Sequence, residues 1–166
     1  MKKILVAFGI VSLIVSCYDK GDKEINTSLS QVREMSSPAS DSCAEPFLFT
    51  DKNGMTYLSW IEKIGRQSTL YFSTLSDENW SEPIKLASGS NWFVNWADYP
   101  VIASDGDKNL LAHFLEKSDT AKFTYDVKIV TSTDSGKTWS TPRILHDDNV
   151  KAEHGFVSII PYNDQF

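Results

Sequence analysis

The chain has 166 residues, 41% hydrophobic and 12% aromatic, with 16 Lys and Arg against 22 Asp and Glu. That is enough apolar material for one domain with a buried core, and it argues against a disordered or collagen-like chain. A net charge of −6 argues against a nucleic-acid partner, because phosphate binding needs a basic surface. Two cysteines, Cys17 and Cys43, lack CxxC or Cys/His spacing. No disulfide framework, metal site or cofactor is expected from them.

Lys2 and Lys3 precede an uncharged apolar run over residues 4–15, the layout of a secretory signal and too short to span a bilayer. The run ends Ile14-Val15-Ser16-Cys17. This resembles the bacterial lipoprotein signal, in which a small residue precedes a cysteine that becomes the lipidated first residue. The resemblance implies cleavage after residue 16, lipidation of Cys17, and anchoring to a bacterial envelope membrane, with the outer membrane or cell surface as the location. Several acyl chains hold a protein stably, since each buried methylene contributes about 0.8 kcal/mol. Residues 17–42 are rich in Ser, Asp and Lys without a sustained period and read as a flexible tether. Cys43 stands at its end as a free thiol.

The rest of the chain contains an internal repeat, which takes precedence over the assignment of single strands. Residues 73–83 lie over 132–142 without gaps at an offset of 59, with Ser, Thr, Ser, Trp, Ser and Pro coinciding. Upstream, Pro46, Asp51, Trp60, Glu62 and Lys63 lie over Pro100, Asp105, Phe114, Glu116 and Lys117 at an offset of 54. The five-residue difference is expected in one loop after Lys117. Each repeat holds four short strand-like runs between turn clusters: 46–50, 56–62, 68–74 and 84–87, then 100–104, 110–116, 125–131 and 143–146. A third set begins at 156–160. The run over 110–115 is apolar at nearly every position, which predicts a strand covered on both faces. Such four-stranded meanders fit propeller blades better than an ordinary sandwich, whose strands alternate more cleanly.

Ser132-x-Asp134-x-Gly136-x-Thr138-Trp139 matches the Asp-box of sialidase-type propellers at all five defining positions. The aspartate can accept bonds from its own turn, the glycine permits positive φ, and the tryptophan supplies an apolar plate. The counterpart at Ser73 and Trp80 lacks the aspartate, threonine and glycine and reads as a degenerate copy. Over residues 43–166 the chain resembles bacterial sialidase-like (Asp-box, or BNR-repeat) lipoproteins. The resemblance implies an all-β fold, part of a six-bladed β-propeller: blades at 45–90 and 98–148 and a third starting near 153. Six blades of this size need about 330 residues, so the remainder is expected from a longer chain or from other chains. The motif's residues are structural, because Asp-boxes also occur in receptors and assembly factors.

Connections of a meander alternate between the ends of the sheet, so the candidate working face carries 91–99, 150–155 and the loops at 63–67 and 117–122, opposite the Asp-box. Asp98, Glu153 and His154 are the catalytic candidates there, as carboxylates and an imidazole suited to acid and base work. Trp92, Trp96 and Tyr99 are the ligand-binding candidates, as plates for a glycan. The competing readings are packing between blades for Trp92 and Trp96 and a solvated loop for Glu153 and His154. His113 reads as a core residue, and His146, beside Asp147 and Asp148, as part of a solvated turn. Family sialidases clamp a substrate carboxylate with three arginines and use a Tyr/Glu pair with an Asp acid. Here Glu45-Pro46-Phe47-Leu48-Phe49 stands where the first arginine motif belongs, and Arg66 alone falls on the candidate face. No catalytic residue is therefore carried over. The resemblance implies a glycan-directed surface lipoprotein, acting by exo-glycoside hydrolysis or as a non-catalytic binder of glycan or protein; the third reading is an inactive truncated product.

Overall fold

The computed structural model describes residues 33–163, 165 and 166. The expected signal run and Cys17 lie outside the described residues. Contacts divide the chain after Glu34, and residues 35–166 form the unit described below. Among the described residues there is no helix, and none that could cross a membrane.

The unit is all-β, with two open antiparallel sheets. Sheet A comprises β1 (Cys43–Thr50), β2 (Thr56–Ile64), β3 (Gln67–Ser76), β4 (Asn79–Trp80) and β5 (Ile84–Gly89). Both β4 and β5 pair with β3, and they are halves of one strand broken at Ser81-Glu82-Pro83, where proline has no N–H to give the ladder. Sheet B is a second meander of β6 (Ile102–Ser104), β7 (Leu110–Lys117), β8 (Tyr125–Ser132) and β9 (Arg143–Ile144). The expected third strand over 156–160 does not form. That segment has no neighbouring strand to complete a ladder among the described residues, and Phe156 takes a φ of 56°. The end of the expected tether is also fixed. The Ser40 N–H donates to Glu62 Oε1 at 3.2 Å, and the Cys43 N–H to the Ser40 carbonyl. Cys43 is a free, exposed thiol.

Pairing registers show how the repeat is built. Phe47, Asp51 and Trp60 correspond to Val101, Asp105 and Phe114, at the expected offset of 54. After the β2–β3 turn the correspondence becomes 57: Ile61 pairs with Leu70 where Leu115 pairs with Val127. After the next hairpin it becomes 59: Ser81 donates its N–H to the Thr74 carbonyl and accepts the Thr74 N–H on its hydroxyl oxygen, where Ser140 and Thr131 make the same two bonds. The five-residue difference is thus split between two connections rather than placed in one. The gapless alignment at Ser73 and Ser132 is corrected too, since Thr74 matches Thr131. The first repeat has no degenerate Asp-box. It has a two-residue turn, Asp77-Glu78, with φ of 49° and 65°, the geometry of a type I′ hairpin.

The main core lies between the sheets. Tyr57, Ile61, Leu70 and Phe72 of sheet A meet Leu110, Ala112, Phe114 and Val130 of sheet B. By the registers above, Phe114 and Ala112 correspond to Trp60 and Leu58, which lie on the opposite face of β2 from Tyr57 and Ile61. Sheet B therefore turns toward sheet A the face that sheet A turns away. The far face of sheet B, with Leu115, Val127 and Ile129, corresponds in turn to the core face of sheet A, and Phe93 and Val157 pack on it. As its apolar run predicts, β7 is covered on both sides.

Candidate functional site

The Asp-box closes the β8–β9 connection by bonds internal to the turn. Ser132 Oγ accepts from the Gly136 N–H at 2.9 Å, and Asp134 accepts from the Thr138 N–H at 2.9 Å and the Thr138 hydroxyl at 2.6 Å. The Thr138 hydroxyl, then its amide, hold the Asp134 carboxyl down at about 2. Trp139 donates Nε1–H to the Gly136 carbonyl and meets Phe72 of sheet A edge-on at 6.0 Å. Asp134 is spent on the turn, as the structural reading of the motif requires.

At the opposite end of sheet B, residues 91–93 run antiparallel to the end of β7: Lys117 N–H donates to the Asn91 carbonyl, and Phe93 N–H to the Leu115 carbonyl. They continue the line of β6, interrupted by an excursion over 94–100 that carries Trp96, Asp98 and Tyr99. In β1 the same break lies between Ala44 and Phe47. Consecutive residues on such a segment face opposite ways. Trp92 accordingly stacks on Phe114 at 4.1 Å in the main core, and Phe93 on Tyr125 at 4.1 Å on the far face. Trp92 is thus a packing residue and is withdrawn as a ligand plate. Trp96 is 84% exposed and Tyr99 40%, with the Tyr99 ring 6.0 Å from Phe47.

Asn95 Oδ1 caps the excursion by accepting the Ala97 and Asp98 amides. Asp98 is only 4% exposed; its Oδ1 accepts the Phe156 N–H at 2.8 Å, and Oδ2 is buried without a partner. Burial raises the Asp98 carboxyl above its ordinary range, and the negative charge of Glu153 adds to this. Gly155 lies so close that a Cβ there would stand 1.9 Å from Asp98 Oδ2. Residues 152–154 run beside the start of β8, where Tyr125 N–H donates to Ala152 and His154 N–H to the Tyr125 carbonyl. This brings Glu153 Oε1 within 2.8 Å of the Tyr125 hydroxyl. Tyr125 is 1% exposed, and burial, followed by Glu153, raises its phenol above the ordinary value. Beside Asp98 lies a cleft of about 470 Å³ lined by Phe47, Tyr99, Val101, Phe156 and Ile160 among others.

His154 turns away from this pair. It is half-buried and stacks on His146 with ring centroids 3.7 Å apart, so neither imidazole is the freely solvated side chain that the loop composition suggests. Asp148 hydrogen-bonds His154 and raises its imidazole, while the Asp148 carboxyl is held down at about 2 by that same bond first. Tyr125, Asp126 and His146 were missed in the sequence as site residues. The signal for Asp126 was present, as an acid between Tyr125 and Val127 at the start of β8. Comparison with protein-family models, curated proteins and solved structures yields no match to this chain.

Proposed function

We propose that this chain is the amino-terminal portion of a lipid-anchored bacterial surface protein whose repeats stack as blades of a sialidase-like propeller, and that it engages a neutral glycan at the end of the sheets away from the Asp-box. The observation that carries the reading is the packing direction. In a two-layer sandwich, equivalent sheets bury equivalent faces; here each sheet buries the face its copy turns outward. A head-to-tail contact generates a ring when the rotation closes, and a propeller is such a ring.

Trp96 and Tyr99 support the glycan reading. Both are exposed aromatic rings held on a capped excursion beside an apolar cleft, the kind of surface on which the apolar face of a sugar can stack. Glu153 lies beside Asp98 in this region, and its negative charge opposes an anionic sugar. The expected result of glycan-array or calorimetric measurements on the full chain is binding of neutral oligosaccharides that is lost in Trp96→Ala. Unchanged binding in that variant, or preference for sialosides, would contradict the reading.

Hydrolysis is the second reading, favoured by the Tyr125–Glu153 hydrogen bond beside a carboxyl that burial raises, the direction of shift a general acid needs. Turnover of neutral glycosides abolished by Asp98→Asn supports it. Affinity without turnover leaves Asp98 as the pin for residue 156.

A further inference from the structure

Asp126 of β8, His146 after β9 and His154 on the C-terminal segment come from three separate stretches and present ligand atoms that all lie within 4.8 Å of one another. His146 Nε2 and His154 Nδ1 stand 3.6 Å and 3.8 Å from the same Asp126 oxygen, Oδ1. These separations are too long for hydrogen bonds, yet they match the spacing of donors that share one ion at about 2.0–2.2 Å. His146 Nε2 is buried and has no hydrogen-bond partner. The outer nitrogens are occupied by a single carboxylate: His146 Nδ1 lies 3.1 Å from Asp148 Oδ1, and His154 Nε2 lies 3.0 Å from Asp148 Oδ2.

We propose that Asp126, His146 and His154 form a binding site for a divalent transition metal of the zinc, cobalt or nickel class, with Asp148 as the outer carboxylate that orients both imidazoles. If each imidazole donates its outer N–H to Asp148, the lone pairs of His146 Nε2 and His154 Nδ1 are left facing Asp126. A carboxylate behind a metal-bound histidine does this work in known metal sites. Two imidazoles and one carboxylate suit this class of ion, whereas calcium and magnesium want oxygen donors. Three protein ligands leave a fourth position for water or a ligand atom. Binding also replaces the 3.3 Å contact of His154 Nδ1 with the Tyr125 carbonyl oxygen. It tilts the rings out of their parallel stack, because in-plane lone pairs of parallel rings do not converge. The site stands independently of the glycan reading, since no residue of the Trp96 surface belongs to it.

The test is titration of the chelator-treated full chain, in a Cys43→Ser background, with cobalt(II) alone. A saturable visible absorption band at one equivalent is expected, displaced by zinc and unaffected by excess calcium or magnesium. His146→Ala and His154→Ala should each remove it, and Asp148→Asn should weaken binding by about 10–100-fold. A second measurement needs no variant: cobalt should selectively broaden and shift the ring resonances of His146 and His154 in the parent chain, leaving those of His113 sharp. No saturable band, a band untouched by the histidine substitutions, or unperturbed ring resonances would overturn the proposal and leave the four residues as a metal-free clamp on the C-terminal segment.

Discussion

His113 is fully buried in the middle of β7, where its Nδ1 accepts the Val101 N–H at 3.3 Å and burial lowers the imidazole to about 4. The unfolded chain binds this proton near pH 6.5. Between pH 6.5 and 4 the unfolded state therefore holds one proton more than the folded state, and stability falls as pH is lowered through that window. The contribution lost is about 3 kcal/mol. Denaturant unfolding at a series of pH values should show that slope in the parent and a flatter one in His113→Gln, which removes the titration. Gly136 is a second residue with a sharp requirement. Its φ is 83°, and a Cβ would stand 2.4 Å from the Phe72 ring. Gly136→Ala should cost about 3 kcal/mol through left-handed strain and overpacking together, measured by the same unfolding curves. Both residues were legible in the sequence: one as a polar side chain in an apolar run, the other through its motif. Gly155 was not, because its constraint is the Asp98 carboxylate, fifty-seven positions away in the chain.

The strands were legible as elements because each repeat alternates apolar runs with turn clusters, and the two copies reinforce each other. Their connections were less so. A sequence alignment sees identical letters, and Ser-Thr recurs on either side of the hairpin, so the two residues added inside the Asp-box turn were absorbed into a gapless match. Hydrogen bonds to Ser81 and Ser140 resolve the ambiguity, since each serine must satisfy a particular strand residue. The site suffered similarly. Asp98 and Glu153 were visible as acids in loops, but their link through Tyr125 depends on the parallel bridge beside β8, which no local pattern announces. At this scale the Asp-box itself can be tested. Asp134→Ala removes the acceptor of both Thr138 bonds, so its melting temperature should fall below the parent's in calorimetry, with Thr138→Val showing a smaller drop. Equal melting temperatures would mean that the box does not hold the hairpin.

For the molecule as a whole, the arrangement leaves a row of apolar groups on the outer face of sheet A. Leu48 is 62% exposed, and Leu58 and Tyr71 are half-buried. These positions correspond to Ile102, Ala112 and Lys128 of sheet B, a face that is largely buried. Apolar surface of this kind favours association, so residues 35–166 at high concentration should sediment as oligomers. Leu48→Glu should shift them toward monomer, and a monomeric parent at all concentrations would speak against an interface there. The central claim is that one duplicated unit packs on the other through the Asp-box tryptophan, and a double-mutant cycle on Phe72 and Trp139 tests it most directly. Each ring truncated alone should destabilise by about 3 kcal/mol, and the pair should show a coupling of about 0.5–1.5 kcal/mol beyond additivity, the value of an edge-on aromatic contact. Strict additivity of the two substitutions would mean that the rings do not touch and that the sheets are not stacked in this way.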